Sequence, residues 1–138
     1  MSNADTHREM HDLFNGRDFD ALAKRLSEDA AYVDQARGVT CHGPEEFKAW
    51  LQGWVDTMST ARVTEARYID AGNTSICLFV GRGTNDGAIG PFPASGKELT
   101  FPLCEILTYD DDGWVTGGEL YYDQMTLLAQ AGHITPPE

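Results

Sequence analysis

KELTFPLCEILTYDDDGWVTGGELYY, residues 97–122, decides the fold. Two β-rich runs, Lys97–Tyr109 and Trp114–Tyr122, flank the turn Asp110-Asp111-Asp112-Gly113, so the segment reads as a long antiparallel hairpin. In the first run the odd positions Leu99, Phe101, Leu103, Leu107 and Tyr109 are all large and apolar or aromatic. Side chains alternate between the two faces of a strand, so this parity faces the core. Glu105 stands in the middle of that row.

Upstream, Arg62–Ala71 and Thr74–Thr84 are two further strands joined by the tight turn Gly72-Asn73. Asn85–Gly96 is a loop rich in Gly and Pro. Before them the period is helical. Gly43-Pro44 opens a helix, with Glu45 and Glu46 at the positive end of its dipole, and Phe47, Trp50, Leu51, Trp54 and Met58 form its apolar stripe. Ala30–Gln35 reads as a strand, and Asp18 as the N-cap of a short helix carrying Phe19, Leu22 and Leu26. A first helix carries Met10, Leu13 and Phe14 and stops at Gly16. Gln124–Ala131 is a terminal helix, and 133–138 a tail. Three helices around one early strand, a four-strand meander and a last helix make an α+β domain whose helices gather on one face of a curved antiparallel sheet. Such a sheet closes as a cone with one open end.

The length suits a single domain over 1–138, with an ordered core from about residue 5 to 132. A formal net charge of −12 and scattered basic residues oppose binding to nucleic acid or an anionic membrane surface. Cys41, Cys77 and Cys104 are odd in number and unpaired in spacing, which implies neither a disulfide framework nor a zinc site. No signal peptide and no span-length apolar run is read, so the expected location is cytoplasmic.

A carboxylate among core residues must be hydrogen-bonded, paired or protonated, because burying it alone costs several kcal/mol. Glu105 is therefore either a pocket acid with a raised pKa or a structural carboxylate tied to a partner. Asp34, sharing strand parity with Tyr32, is either a general base at the pocket rim or an aspartate ending a strand. Trp50, Trp54, Met58, Phe79, Phe92, Tyr121 and Tyr122 are core residues or aromatic walls of a ligand cavity. His7 and His11 stand four apart, a spacing that suits a shared metal, but no third ligand is evident and a frayed surface helix explains them better. His42 reads as a helix-entry residue. The Asp110–Asp112 run lacks the calcium-loop pattern. No phosphate loop, nucleophile elbow or dinucleotide fingerprint is present, and no cofactor is expected.

With SEDAAYVD (27–34), GPEEFKAWLQGW (43–54), GAIGPFPASGKELTFPLCEILTYDDDG (87–113) and YYDQMTLLAQAG (121–132) in place, the chain resembles the SnoaL-like (ester cyclase) branch of the NTF2-like superfamily, from about Glu9 to Gly132. The resemblance implies an NTF2-like cone around a small-molecule pocket. In the polyketide cyclases the acid/base aspartate falls on Leu120, as does that of the limonene epoxide hydrolases, whose Arg-x-Asp pair falls near Phe79 and Gly81. Against the ketosteroid isomerases, the base aspartate falls on Asp34 and the protonated one on Glu105, while the helix-one tyrosine is replaced by Glu9.

The expectation is a cofactor-independent isomerase, cyclase or dehydratase acting on a hydrophobic, oxygenated molecule. Asp34 would abstract a proton beside a carbonyl, a neutral Glu105 would stabilise the enolate, and Tyr32, Trp54, Met58, Phe79, Leu120 and Tyr122 would hold the substrate. Leu120 in place of the family aspartate favours the alternative, a binding protein without catalysis. The expected partners are a small hydrophobic molecule and, as a homodimer, a second copy of the chain.

Overall fold

The computed structural model describes residues 1–138. Its elements are α1 (Asn3–Asn15), α2 (Phe19–Ala23), β1 (Leu26–Asp34), β2 (Val39–His42), α3 (Gly43–Thr57), β3 (Arg62–Ala71), β4 (Thr74–Thr84), β5 (Glu98–Tyr109), β6 (Val115–Tyr121) and α4 (Gln124–Gln130). The strands form one open, curved sheet in the order β2-β1-β6-β5-β4-β3. The α+β reading and the β3-to-β6 meander hold.

Four features differ from the sequence expectations. Leu26 opens β1 instead of lying on the second helix, which ends at Ala23. Val39–His42 is a strand, pairing antiparallel with β1. Four residues with a single buried side chain carry too little periodicity to be seen. β1 runs parallel to β6, so the sheet is mixed; the chain re-enters it beside its own last strand. And α1 is no frayed surface helix. Ser2 and Asp5 close a capping box at its start, Asp70 accepts from the Ala4 amide at 2.8 Å, and Tyr109 donates to the Asn3 carbonyl at 3.1 Å. These contacts pin α1 to the ends of β3 and β5 and turn His7, Met10 and His11 inward.

The core lies between the inner sheet face and the helices. It includes Met10, Leu22, Phe47, Leu51, Met58, Phe79, Phe101, Leu103 and Leu107. At the bulge in β3, Glu65 takes φ 50, and the strand pairing shifts between Thr64 and Arg67. No helix is long and apolar enough to cross a membrane.

Candidate active site

Strand registers build the site. Asp34 pairs with Leu120, Leu120 with Glu105, Glu105 with Cys77, and Cys77 with Tyr68. Directly paired residues share a sheet face, so these five side chains form one row across the inside of the cone. Above this row lies an apolar hollow of about 670 Å³, including the open space at its mouth. Fifteen of its 20 lining residues are hydrophobic. Arg62 and Arg82 belong to the lining, but the Arg82 guanidinium bonds Thr64, Thr100 and Glu65 on the outer face of the sheet. The deep polar groups are His11 and Glu105.

The Glu105 carboxylate accepts from three donors. His7 Nε2 lies 2.8 Å and His11 Nε2 2.7 Å from Oε1, and the Tyr32 hydroxyl donates to Oε2. A second layer fixes the imidazoles: Ser75 Oγ is 2.7 Å from His7 Nδ1, and the Tyr68 hydroxyl 2.8 Å from His11 Nδ1. Tyr109 donates to the Asn3 carbonyl, so the single Ser75 proton goes to Tyr109, 2.8 Å away.

Burial alone would push the Glu105 carboxyl up, but the hydrogen bonds and charge of His11 and then His7 outweigh it, and hold the group well below the usual carboxylate range. The shift is thus downward, the opposite direction to the neutral, raised-pKa acid expected from the sequence. Burial, and next the Glu105 charge, push the Tyr32 phenol far up, so it stays a donor. Gly118 makes room for that ring, since a Cβ there would come within 2.7 Å of Tyr32 Cδ2.

Asp34 has the opposite setting. It is fully buried and absent from the lining of the hollow. Trp50 Nε1 and the Tyr122 hydroxyl donate to its Oδ2 at 3.1 and 3.0 Å, and the Arg37 amide to its Oδ1 at 3.2 Å. It stands two strands from Glu105, about 10 Å at ordinary strand spacing, with Leu120 between them. A rim base working with Glu105 is not what the geometry offers; Asp34 ties an aromatic wall to the sheet.

Of the residues expected to hold substrate, Trp54, Met58, Phe79 and Leu120 line the hollow. Tyr32 sits one layer behind it, on Glu105. Tyr122 faces a separate groove outside Trp54, together with Phe92. Tyr121 is exposed on the opposite face. The sequence reading set His7 and His11 aside on a frayed surface helix, although His7, Met10, His11 and Phe14 follow the i, i+3, i+4, i+7 spacing of one helix face. The third group that seemed lacking beside the histidines is present in space. Cys77, His7 and His11 offer ligand atoms within 4.8 Å of one another. All four ring nitrogens nevertheless have partners, and burial pushes the Cys77 thiol up to about 12. The set as it stands is a hydrogen-bonded network.

A family model described as a SnoaL-like domain matches residues 7–117. Similar solved structures include a candidate polyketide cyclase from Pseudomonas putida (19% identity, TM-score 0.84, 95% of this chain and 98% of that one) and another from Xanthomonas campestris (23%, 0.83, 94% and 96%). A protein of ketosteroid isomerase-like fold from Catenulispora acidiphila, in complex with trimethylamine, shares 24% identity at a TM-score of 0.77 over 91% of this chain and 93% of that one. At these identities the likeness is one of fold. No curated protein matches the sequence.

Proposed function

The chain belongs to the SnoaL-like domain family, and from that premise we propose that it is a cofactor-independent acid–base enzyme moving a proton on a hydrophobic, carbonyl-bearing small molecule. One observation carries the reading: an ionised carboxylate and an imidazole are the deep polar groups of an otherwise apolar hollow. A protein of similar fold is known in complex with a small molecule, trimethylamine, which is in keeping with a small-molecule role.

In the proposed step the Glu105 carboxylate takes a proton from the carbon beside the substrate carbonyl, on the one lone pair that its three donors leave free, and the C–H electron pair becomes the enolate double bond. Once Glu105 is protonated, its hold on the His11 Nε2–H weakens, and that N–H turns to the enolate oxygen. His7 and Tyr32 position Glu105 without reaching the hollow. A carboxylate held so far down is a weak base, so the substrate proton must be acidified by its carbonyl, and the apolar walls strengthen every charge interaction of the step. Isomerisation, cyclisation and dehydration all begin this way.

The test is proton–deuteron exchange into a panel of cyclic and aryl ketones, followed by NMR. The wild type should catalyse exchange on a panel member, Glu105→Gln should lose roughly 10²–10⁴-fold of it, and Asp34→Asn should keep most of it. Equal exchange by the wild type and Glu105→Gln would refute the proposal.

A further inference from the structure

The groove outside Trp54 has no part in the chemistry above. It lies between the β1–β2 turn, α3, the loop after β4 and the start of α4, and encloses about 640 Å³ with its open space. Trp54 lines both it and the inner hollow, so one indole is the wall between the two. That wall is held in place: Trp54 packs edge-on against Tyr122 at 5.3 Å and against Trp50 at 5.9 Å. Both neighbours donate to the sealed carboxylate of Asp34.

The polar groups of the groove divide into spent and free. The Tyr122 hydroxyl is committed to Asp34, and the Thr57 hydroxyl to the Ala88 carbonyl. Arg37 bonds only through its backbone amide. Its guanidinium and the Gln124 carboxamide make no intramolecular hydrogen bond or ion pair, in a chain with 22 acidic side chains available. The Arg37 charge counteracts the upward push on the Tyr122 phenol, so the two lie near one another in the groove lining. Phe92 and Leu127 supply apolar walls.

We infer that this groove is a second binding subsite, which takes the anionic end, a carboxylate or sulfonate, of an elongated ligand whose apolar body packs along Trp54. As a part of the substrate site it rests on the reading above; as a binding site it stands without it. The net charge of −12 opposes anions at long range, but at physiological ionic strength charges beyond about 8 Å are largely screened, and the contact with Arg37 decides. A guanidinium meets such an oxyanion with paired N–H donors, and a carboxamide adds one more.

The test uses two fluorescent probes of matched body, anilinonaphthalene sulfonate and its uncharged parent phenylnaphthylamine, with energy transfer from tryptophan as readout. The wild type should bind the sulfonate more tightly. Arg37→Ala should weaken it about tenfold and leave the parent unchanged, and Gln124→Ala should do the same to a smaller degree. Arg37 makes no side-chain bond, so its loss leaves the fold intact. A wild type that does not favour the sulfonate, or an Arg37→Ala that weakens both probes alike or neither, overturns the inference. Glu105→Gln should retain the preference, so this outcome is independent of the proton chemistry.

Discussion

Asp34 and Glu105 are two buried carboxylates on one row of one sheet, and their surroundings give them different work. Asp34 accepts from an indole, a phenol and a backbone amide, and lines neither the hollow nor the groove outside Trp54. Glu105 accepts from two imidazoles and a phenol, and one side of it opens on an apolar hollow. Both are satisfied, so burial alone does not distinguish a structural acid from a reactive one. Access does.

The sharpest way to break the comparison is to neutralise each acid in turn. Glu105→Gln should reduce ketone exchange by roughly 10²–10⁴-fold, while Asp34→Asn should cost stability, about 1–3 kcal/mol by urea unfolding, with exchange largely retained. If the two variants behave alike, the contrast is wrong.

Removing a donor is next in size. His7→Ala leaves a buried carboxylate short of a partner, and should destabilise the fold by about 3–5 kcal/mol, measured by urea unfolding. A loss below about 1 kcal/mol, the range of an exposed pair, would mean that Glu105 is more hydrated than the packing indicates.

A third prediction concerns acid. The folded carboxyl of Glu105 lies below its usual 4.5. The stabilisation it gives is therefore fully present above that value and is lost as pH falls through and beneath it. The wild type should lose more stability than Glu105→Gln between neutrality and the acid range below 4.5, read from urea unfolding at stepped pH. Parallel curves would contradict an ionised Glu105.

The smallest effect is steric. Gly118→Ala brings a methyl within 2.7 Å of the Tyr32 ring and 2.8 Å of Leu107. It should cost about 1–3 kcal/mol through overpacking, and loosen the Tyr32 bond to Glu105. A crystal structure of the variant with that bond intact would uncouple the glycine from the site.

Local pattern made most of the architecture legible. The strict alternation of Leu99, Phe101, Leu103 and Leu107 put Glu105 on the inner face, and the stripe from Phe47 to Met58 placed α3 against the sheet. β2 was hidden because four residues with one buried position have no measurable period. The parallel pairing of β1 with β6 joins strands far apart in the chain, a contact that no local signal reports. The charge state of Glu105 failed for the same reason: burial argued for a neutral acid, and the compensating imidazoles come from α1, 94 and 98 residues away. Asp34 was placed on the correct face, but its screening by Trp50 and Tyr122 depends on three elements meeting.

The most direct measurement is NMR of the carboxyl carbons in protein with labelled glutamate, with Glu105 assigned by its absence in Glu105→Gln. An anion held by three donors should keep its ionised shift from neutral pH down to the acid unfolding transition. A Glu105 carboxyl that is protonated at neutral pH, or titrates close to it, would contradict the account.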